Sequence, residues 1–140
     1  MRILSFGGGV QTTALSILVA QGKVNVDAVV FADTGCEKPE TYWYMDTYIK
    51  PLYQKLGIPF HSIKATANWT KEGLYQYCLS KSIIPDVKHK WCSKGFKALP
   101  ISRQFPECTQ LIGFSVDEAY RSDKLAHIEG ESCWSGYCSH

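Results

Sequence analysis

An α/β fold, a parallel sheet with helices on both faces, is predicted by three observations. Short apolar runs alternate with longer segments whose apolar residues recur at helical spacing. The run Ala28-Val29-Val30-Phe31-Ala32 is apolar throughout, as a strand covered on both faces requires. Ile3-Leu4-Ser5-Phe6 passes through Gly7-Gly8-Gly9 into a helical pattern carried by Ala14, Leu15, Leu18 and Val19. Strand, glycine turn and helix in that order open a parallel unit.

The elements follow in sequence. The first helix stops near Gln21-Gly22, where glycine suits a helix end. The second strand, 28–32, runs into Asp33-Thr34-Gly35. A long helix is predicted from Pro39 to Gly57, with Pro39 in its first turn and Tyr42, Met45, Ile49, Leu52, Tyr53 and Leu56 on one stripe. Pro51 removes one helical hydrogen bond and is expected to kink or divide it. Pro59 to Ile63 reads as a third strand, and Trp69 to Lys81 as a helix with Leu74, Tyr77 and Cys78 inward. Residues 83–91 read as a basic, irregular connection. A helix from about Ser93 to Phe105, interrupted by Pro100, precedes a fourth strand, Leu111 to Phe114. Residues 1–121 thus read as one domain. Residues 122–140 form a polar C-terminal tail with few apolar anchors, to which no element is assigned.

Composition narrows the function classes. A chain of 140 residues is long enough for one real core. Fifteen basic and thirteen acidic residues give a net charge of +2, so no strong nucleic-acid binding is expected. No apolar run approaches the roughly 20 residues that span a bilayer, and no signal peptide is visible. A cytoplasmic location is therefore expected, with the six cysteines reduced and serving as buried, metal-binding or reactive thiols.

The glycine loop is the first candidate site. Gly7, Gly8 and Gly9 leave no side chain in the way, so their N–H groups and those of the following helical turn can converge on an anion. Ser5, Thr12 and Thr13 add hydroxyls at the same end. The loop is not a Walker A loop, since no Gly-Lys-Ser/Thr follows at the required distance. A tight turn without any ligand is the plain alternative. Topology strengthens the case, because parallel sheets bind ligands beyond the C-terminal ends of their strands, near a switch in strand order. That rule gathers Gly7 to Gly9, Asp33-Thr34-Gly35 and Ser115 to Arg121 on one edge.

The loop Gly7-Gly8-Gly9-Val10-Gln11-Thr12 resembles the pyrophosphate loop (PP-loop) of the adenine nucleotide alpha-hydrolase superfamily, with Gln11 where Asp is usual. Asp33-Thr34-Gly35-Cys36-Glu37-Lys38-Pro39-Glu40-Thr41-Tyr42 is similar to the Asp-Thr-Gly-x-x-x-Pro-Glu-Thr-Tyr segment of the phosphoadenosine phosphosulfate (PAPS) reductase family. That branch also often carries Gln in the loop. Trp91-Cys92-Ser93-Lys94-Gly95-Phe96-Lys97 and Ile112-Gly113-Phe114-Ser115-Val116-Asp117-Glu118-Ala119-Tyr120-Arg121 resemble later segments of its members, including short, phage-type ones. The resemblance implies a Rossmann-like PP-loop fold holding an adenine nucleotide (PAPS, APS or ATP) across the strand ends. Its anionic tail would lie in the glycine loop beside Gln11, Thr12 and Thr13.

Asp33, Thr34 and Gly35 would then lie by the nucleoside, although Asp33 is equally suited to capping a turn. Lys94, Lys97 and Arg121 are candidate phosphate or sulfate ligands, with a solvated surface charge as the alternative for each. Asp117 and Glu118 could orient Arg121, coordinate Mg2+ with the phosphates, or cap a helix. The reductase resemblance implies a thiolate that attacks the sulfur of the sulfonucleotide and yields sulfite. An external thiol, from a thioredoxin- or glutaredoxin-like partner, completes the cycle. Cys138 is the first candidate, on a tail that could fold over the site with His140 nearby, followed by Cys92 and Cys36. Cys78 reads as core filling, and no metal site is assigned. ATP cleavage between the α- and β-phosphates, adenylating an acceptor such as a nucleic-acid base, is a second reading. A nucleotide-binding subunit without chemistry, in an assembly or homo-oligomer, is a third.

Overall fold

The computed structural model describes residues 1–85, 89, 91–115 and the backbone of 134–138. β1 (Arg2–Phe6) leads into α1 (Val10–Ala20), and β2 (Ala28–Asp33) into α2 (Pro39–Tyr44). A π-helical turn, Met45–Ile49, joins α2 to α3 (Lys50–Leu56), and β3 (Phe60–Lys64) follows. Next come α4 (Leu74–Lys81), α5 (Trp91–Ser93), a second π-helical turn (Lys94–Ala98) and α6 (Leu99–Gln104). β4 (Thr109–Phe114) and β5 (Trp134–Cys138) complete the order.

All neighbouring strands are parallel, in the order β3-β2-β1-β4-β5. The chain steps outward from β1 to β3, then returns past β1 to β4. The switch in strand order therefore lies between β1 and β4. Two core layers sandwich the sheet. On one face Leu4, Phe6, Val29, Phe31 and Leu111 pack with Leu15 of α1 and Tyr53 of α3. On the other, Ile3, Val30, Ile63 and Ala65 pack with Phe96 and Ile101. Continuous apolar character in β2 is thus explained, since Ala28 to Ala32 are all buried.

The two internal prolines divide their helical segments as expected, each through one π-helical turn. Pro51 has no N–H to donate, and its ring would crowd the carbonyl four residues back. The chain relieves this by widening the preceding turn, where Lys50 N–H bonds Met45 O. Pro100 is treated identically, with Leu99 N–H on Lys94 O. α4 begins at Leu74 rather than Trp69, with Gly73 at its N-cap. Its Leu74 and Tyr77 pack on the core as expected, while Cys78 is only half-buried. The segment assigned no element contains a strand: β5 pairs with β4 from Gln110↔Trp134 to Phe114↔Cys138.

Candidate functional site

Because every strand is parallel, the loops after β1, β2 and β4 emerge on one edge. At the switch point, Gly8 adopts φ +74°, a left-handed conformation that favours glycine. A Cβ there would meet the Thr41 methyl at 2.6 Å, so the loop lies tightly against α2. Gly7 is exposed, and a Cβ on it would meet nothing within 4 Å.

α1 starts at Val10 with Gly9 as its N-cap, which provides no side-chain cap, and with no acidic residue in its first turn. The Gly9 carbonyl accepts the first helical bond, from Thr13 N–H at 3.1 Å. It also accepts the Thr12 and Thr13 hydroxyls, at 3.2 and 3.0 Å. Both threonine hydroxyls are thus turned back on the loop and hold it closed. The backbone N–H groups of the first turn remain as the donors that can meet an anion. Gln11 presses its backbone on β4: a Cβ at Gly113 would lie 2.9 Å from the Gln11 carbonyl carbon. Gly113 is what lets the helix N-terminus approach the switch point so closely, and reading it only as part of a strand missed that. Ser5, half-buried in β1, pairs in register with Val30.

The turn after β2 is organised by Asp33. Its Oδ1 accepts Gly35 N–H at 2.8 Å and the Tyr42 hydroxyl at 2.6 Å. Capping is therefore an observed role of Asp33, while its Oδ2 makes no hydrogen bond among the described residues. Gly35 has φ +70°, and Thr34, which is buried, accepts Cys36 N–H at 3.3 Å. Besides packing against the core, Tyr42 closes the Asp33-to-Tyr42 motif on Asp33 itself. Burial, then the bond to Asp33, pushes its phenol up to about 12.

From the facing side come Lys94 and Lys97, on the second π-helical turn. Lys94 is exposed. Lys97 Nζ bonds Glu37 Oε1 at 2.9 Å, so an anion reaching Lys97 competes with a carboxylate that the sequence reading did not single out. Beneath them Trp69, Tyr77, Trp91 and Phe96 form a ring cluster with centroids 5.8–6.5 Å apart. Gly95 is buried against the Trp69 indole, which a Cβ would overlap.

Three cysteines converge here. Cys36 is exposed in the loop after β2, and Cys92 and Cys78 are half-buried on α5 and α4. Burial, then the nearness of Cys36 and Cys92, pushes the Cys78 thiol up, and Cys78 is half-buried rather than core filling. Cys108 is buried at the other end of the sheet, and burial raises its thiol as well. Cys138 ends β5 opposite Phe114, on the ligand-side edge, but its side chain lies outside the described residues. Asp117, Glu118 and Arg121 also lie outside them. Among the described residues no group of three or more His, Cys, Asp or Glu could hold a metal ion. Nor is any helix there long and apolar enough to cross a membrane.

No curated protein matches the chain. The family model described as the phosphoadenosine phosphosulfate reductase domain matches residues 2–115, from β1 through the end of β4. That span contains the glycine loop, the Asp33 turn and the Lys94–Lys97 turn, and the chain belongs to this family of adenine-nucleotide-binding domains.

Proposed function

We propose that the chain binds a sulfonucleotide, PAPS or APS, and reduces it to sulfite with a cysteine thiol. The observation that carries this reading is the uncapped N-terminus of α1 behind Gly7 to Gly9, at the switch point of a parallel sheet in a PAPS reductase family domain. The phosphosulfate tail would accept the first-turn N–H groups, and Asp33 Oδ2 would accept a nucleoside hydroxyl or amino group. Lys94, Lys97 and Arg121 would supply charge to the tail. A cysteine thiolate would attack the sulfuryl sulfur, and the bond from that sulfur to the phosphate oxygen would break, its electron pair leaving with the adenosine phosphate. An external dithiol, of thioredoxin or glutaredoxin type, would attack the cysteine sulfur and expel sulfite. Its second thiol would then close a disulfide on the reductant and restore the thiol.

A thermal-shift panel of ATP, AMP, adenosine 3′,5′-bisphosphate and PAPS, with and without magnesium, tests the reading. A ligand at 100 times its dissociation constant stabilises the folded state by about 2.7 kcal/mol, a readable shift. Preference for PAPS and the bisphosphate is expected. Magnesium-dependent preference for ATP would instead assign α–β cleavage and adenylation, and silence toward all four would remove the nucleotide assignment.

A further inference from the structure

The sheet has an open edge at β3, remote in strand order from the switch point. Val29 N–H bonds Pro59 O at 2.9 Å, and Ala65 N–H bonds Asp33 O at 2.8 Å. Pairing to β2 therefore uses residues 59, 61, 63 and 65. Since a strand alternates with period two, the N–H and C=O groups of Phe60, Ser62 and Lys64 point away from the sheet. β3 is the last strand on that side, and no hydrogen bond among the described residues takes up those groups.

Beside this edge runs a groove of about 390 Å³. Ser62, Lys64 and Thr66 line one side, and Pro100, Arg103 and Gln104 of α6 line the other. Its only charged lining residues are Lys64 and Arg103, both exposed. Neither has an ion-pair partner among the described residues. An edge strand with a helix alongside offers main-chain pairing for affinity and side chains for selection.

We propose that this groove binds an acidic peptide segment in extended conformation, added alongside β3 as a sixth strand. The positive lining selects carboxylate side chains, and the unpaired edge supplies a ladder of backbone bonds. A second copy of this chain is a poor occupant, because edge-to-edge pairing would bring Lys64 and Arg103 of both copies together. Charged residues on an edge discourage that pairing.

The test uses the full chain and a fluorescein-labelled heptapeptide of alternating valine and glutamate, read by anisotropy. Two controls accompany it, one with lysine for glutamate and one N-methylated at alternate amides. The glutamate peptide is expected to bind. Either control, or Arg103→Glu, is expected to weaken binding by about tenfold or more, as loss of charged or paired hydrogen bonds does. Ser62→Pro removes an outward-facing N–H that the sheet does not use, and is expected to abolish binding with little change in melting temperature. Should Ser62→Pro fold poorly, hydrogen exchange on the unaltered chain decides, with protection expected at the Ser62 and Lys64 amides on peptide addition. Equal binding of the N-methylated peptide, or no such protection, would overturn the proposal. So would displacement by inorganic phosphate but not by chloride at equal ionic strength, or a dimer that the peptide fails to dissociate.

Discussion

Tyr42 donates its phenolic hydrogen to Asp33 Oδ1 across 2.6 Å, tying α2 to the turn that ends β2. Both ends of the Asp33-to-Tyr42 motif thus meet on one oxygen, which also takes Gly35 N–H. Burial, reinforced by the carboxylate, raises Tyr42 from 10.0 to about 12. Burial raises Tyr53, bonded to Ser16 Oγ at 2.8 Å, to about 12 as well. A phenol whose folded pKa exceeds its unfolded value contributes stability that is fully present below pH 10 and is lost as pH rises toward 12. Ultraviolet titration is expected to show Tyr42 and Tyr53 ionising late, and Tyr42→Phe to remove the first of these. That variant costs about 1 kcal/mol at neutral pH and melts with a shallower decline between pH 9 and 11. An unchanged decline would show that Tyr42 is not held by Asp33.

The glycine loop separates fold from binding at adjacent positions. Gly8→Ala places a methyl in a left-handed conformation, a penalty of about 1–2 kcal/mol, and drives it into Thr41. The obstacle points into the protein rather than toward a ligand, so Gly8→Ala is expected to lower the melting temperature. Adding Thr41→Ser removes the opposing methyl and should restore part of it. Gly7→Val enters open space and is expected to spare the fold while weakening PAPS binding. Undiminished affinity in Gly7→Val would place the anion elsewhere.

Gly113 and Gly95 look alike in sequence but differ in what surrounds them. A methyl on Gly113 meets the Gln11 backbone at 2.9 Å, which can move only with the whole of α1. Overpacking of this kind costs about 1–3 kcal/mol. A methyl on Gly95 meets the Trp69 indole, a half-exposed side chain packed on Tyr77 and Phe96 that can give way more readily than a backbone. Gly113→Ala is therefore expected to reduce both melting temperature and nucleotide affinity, and Gly95→Ala to cost less in both. The reverse ranking would mean that α1 is not pinned at the switch point by this contact.

Strand periodicity and the glycine turn made the sheet legible, because β2 is buried almost throughout and β1 and β4 each carry a short buried apolar stretch. β5 was hidden for the opposite reason: Trp134-Ser135-Gly136-Tyr137-Cys138 mixes polar and small residues, and its pairing with β4 is carried by backbone bonds that any sequence can make. Pro51 and Pro100 marked their interruptions correctly, and what the sequence left open was the form, one wider turn rather than a break. At the site, backbone donors were foreseeable from glycine and topology. The contacts Lys97–Glu37 and Cys78 with its two neighbours join elements far apart in the chain, and no local pattern encodes them, whereas Tyr42–Asp33 closes within one motif.

Lys97 offers a test of charge competition. Its partner Glu37 is largely shielded, while the lysine is about two-fifths exposed (41%/22% for the Lys97 and Glu37 side chains). As a fold contact the pair is worth at most about 1 kcal/mol. Lys97→Ala is expected to weaken PAPS more than adenosine. Glu37→Gln, which frees the ammonium, is expected to tighten PAPS and leave adenosine unchanged. Equal changes for both ligands in isothermal titration would show that Lys97 does not meet the charged tail.

The reacting thiol is the last prediction. A nucleophilic cysteine must be ionised near neutral pH and must reach the sulfur beside the glycine loop. Cys108 fails on both counts, being buried with a raised thiol at the opposite end of the sheet. Cys78 is disfavoured by its raised thiol, although it neighbours the site. Cys36, on the loop after β2 next to Glu37, and Cys92, on α5 ahead of Lys97, have the access. Cys138 has the position: it ends β5 beside Phe114, and β5 lies two strand spacings, roughly 10 Å, from β1. Incubation with PAPS is expected to leave a sulfonate adduct on Cys138, located by peptide mass spectrometry and released by a dithiol. Cys138→Ser is expected to bind the nucleotide normally and form no adduct. An adduct that survives in Cys138→Ser would move the nucleophile to Cys92 or Cys36, whose serine variants then identify it. Binding of PAPS without an adduct on any cysteine would end the reductase reading, leaving ATP cleavage or plain nucleotide binding.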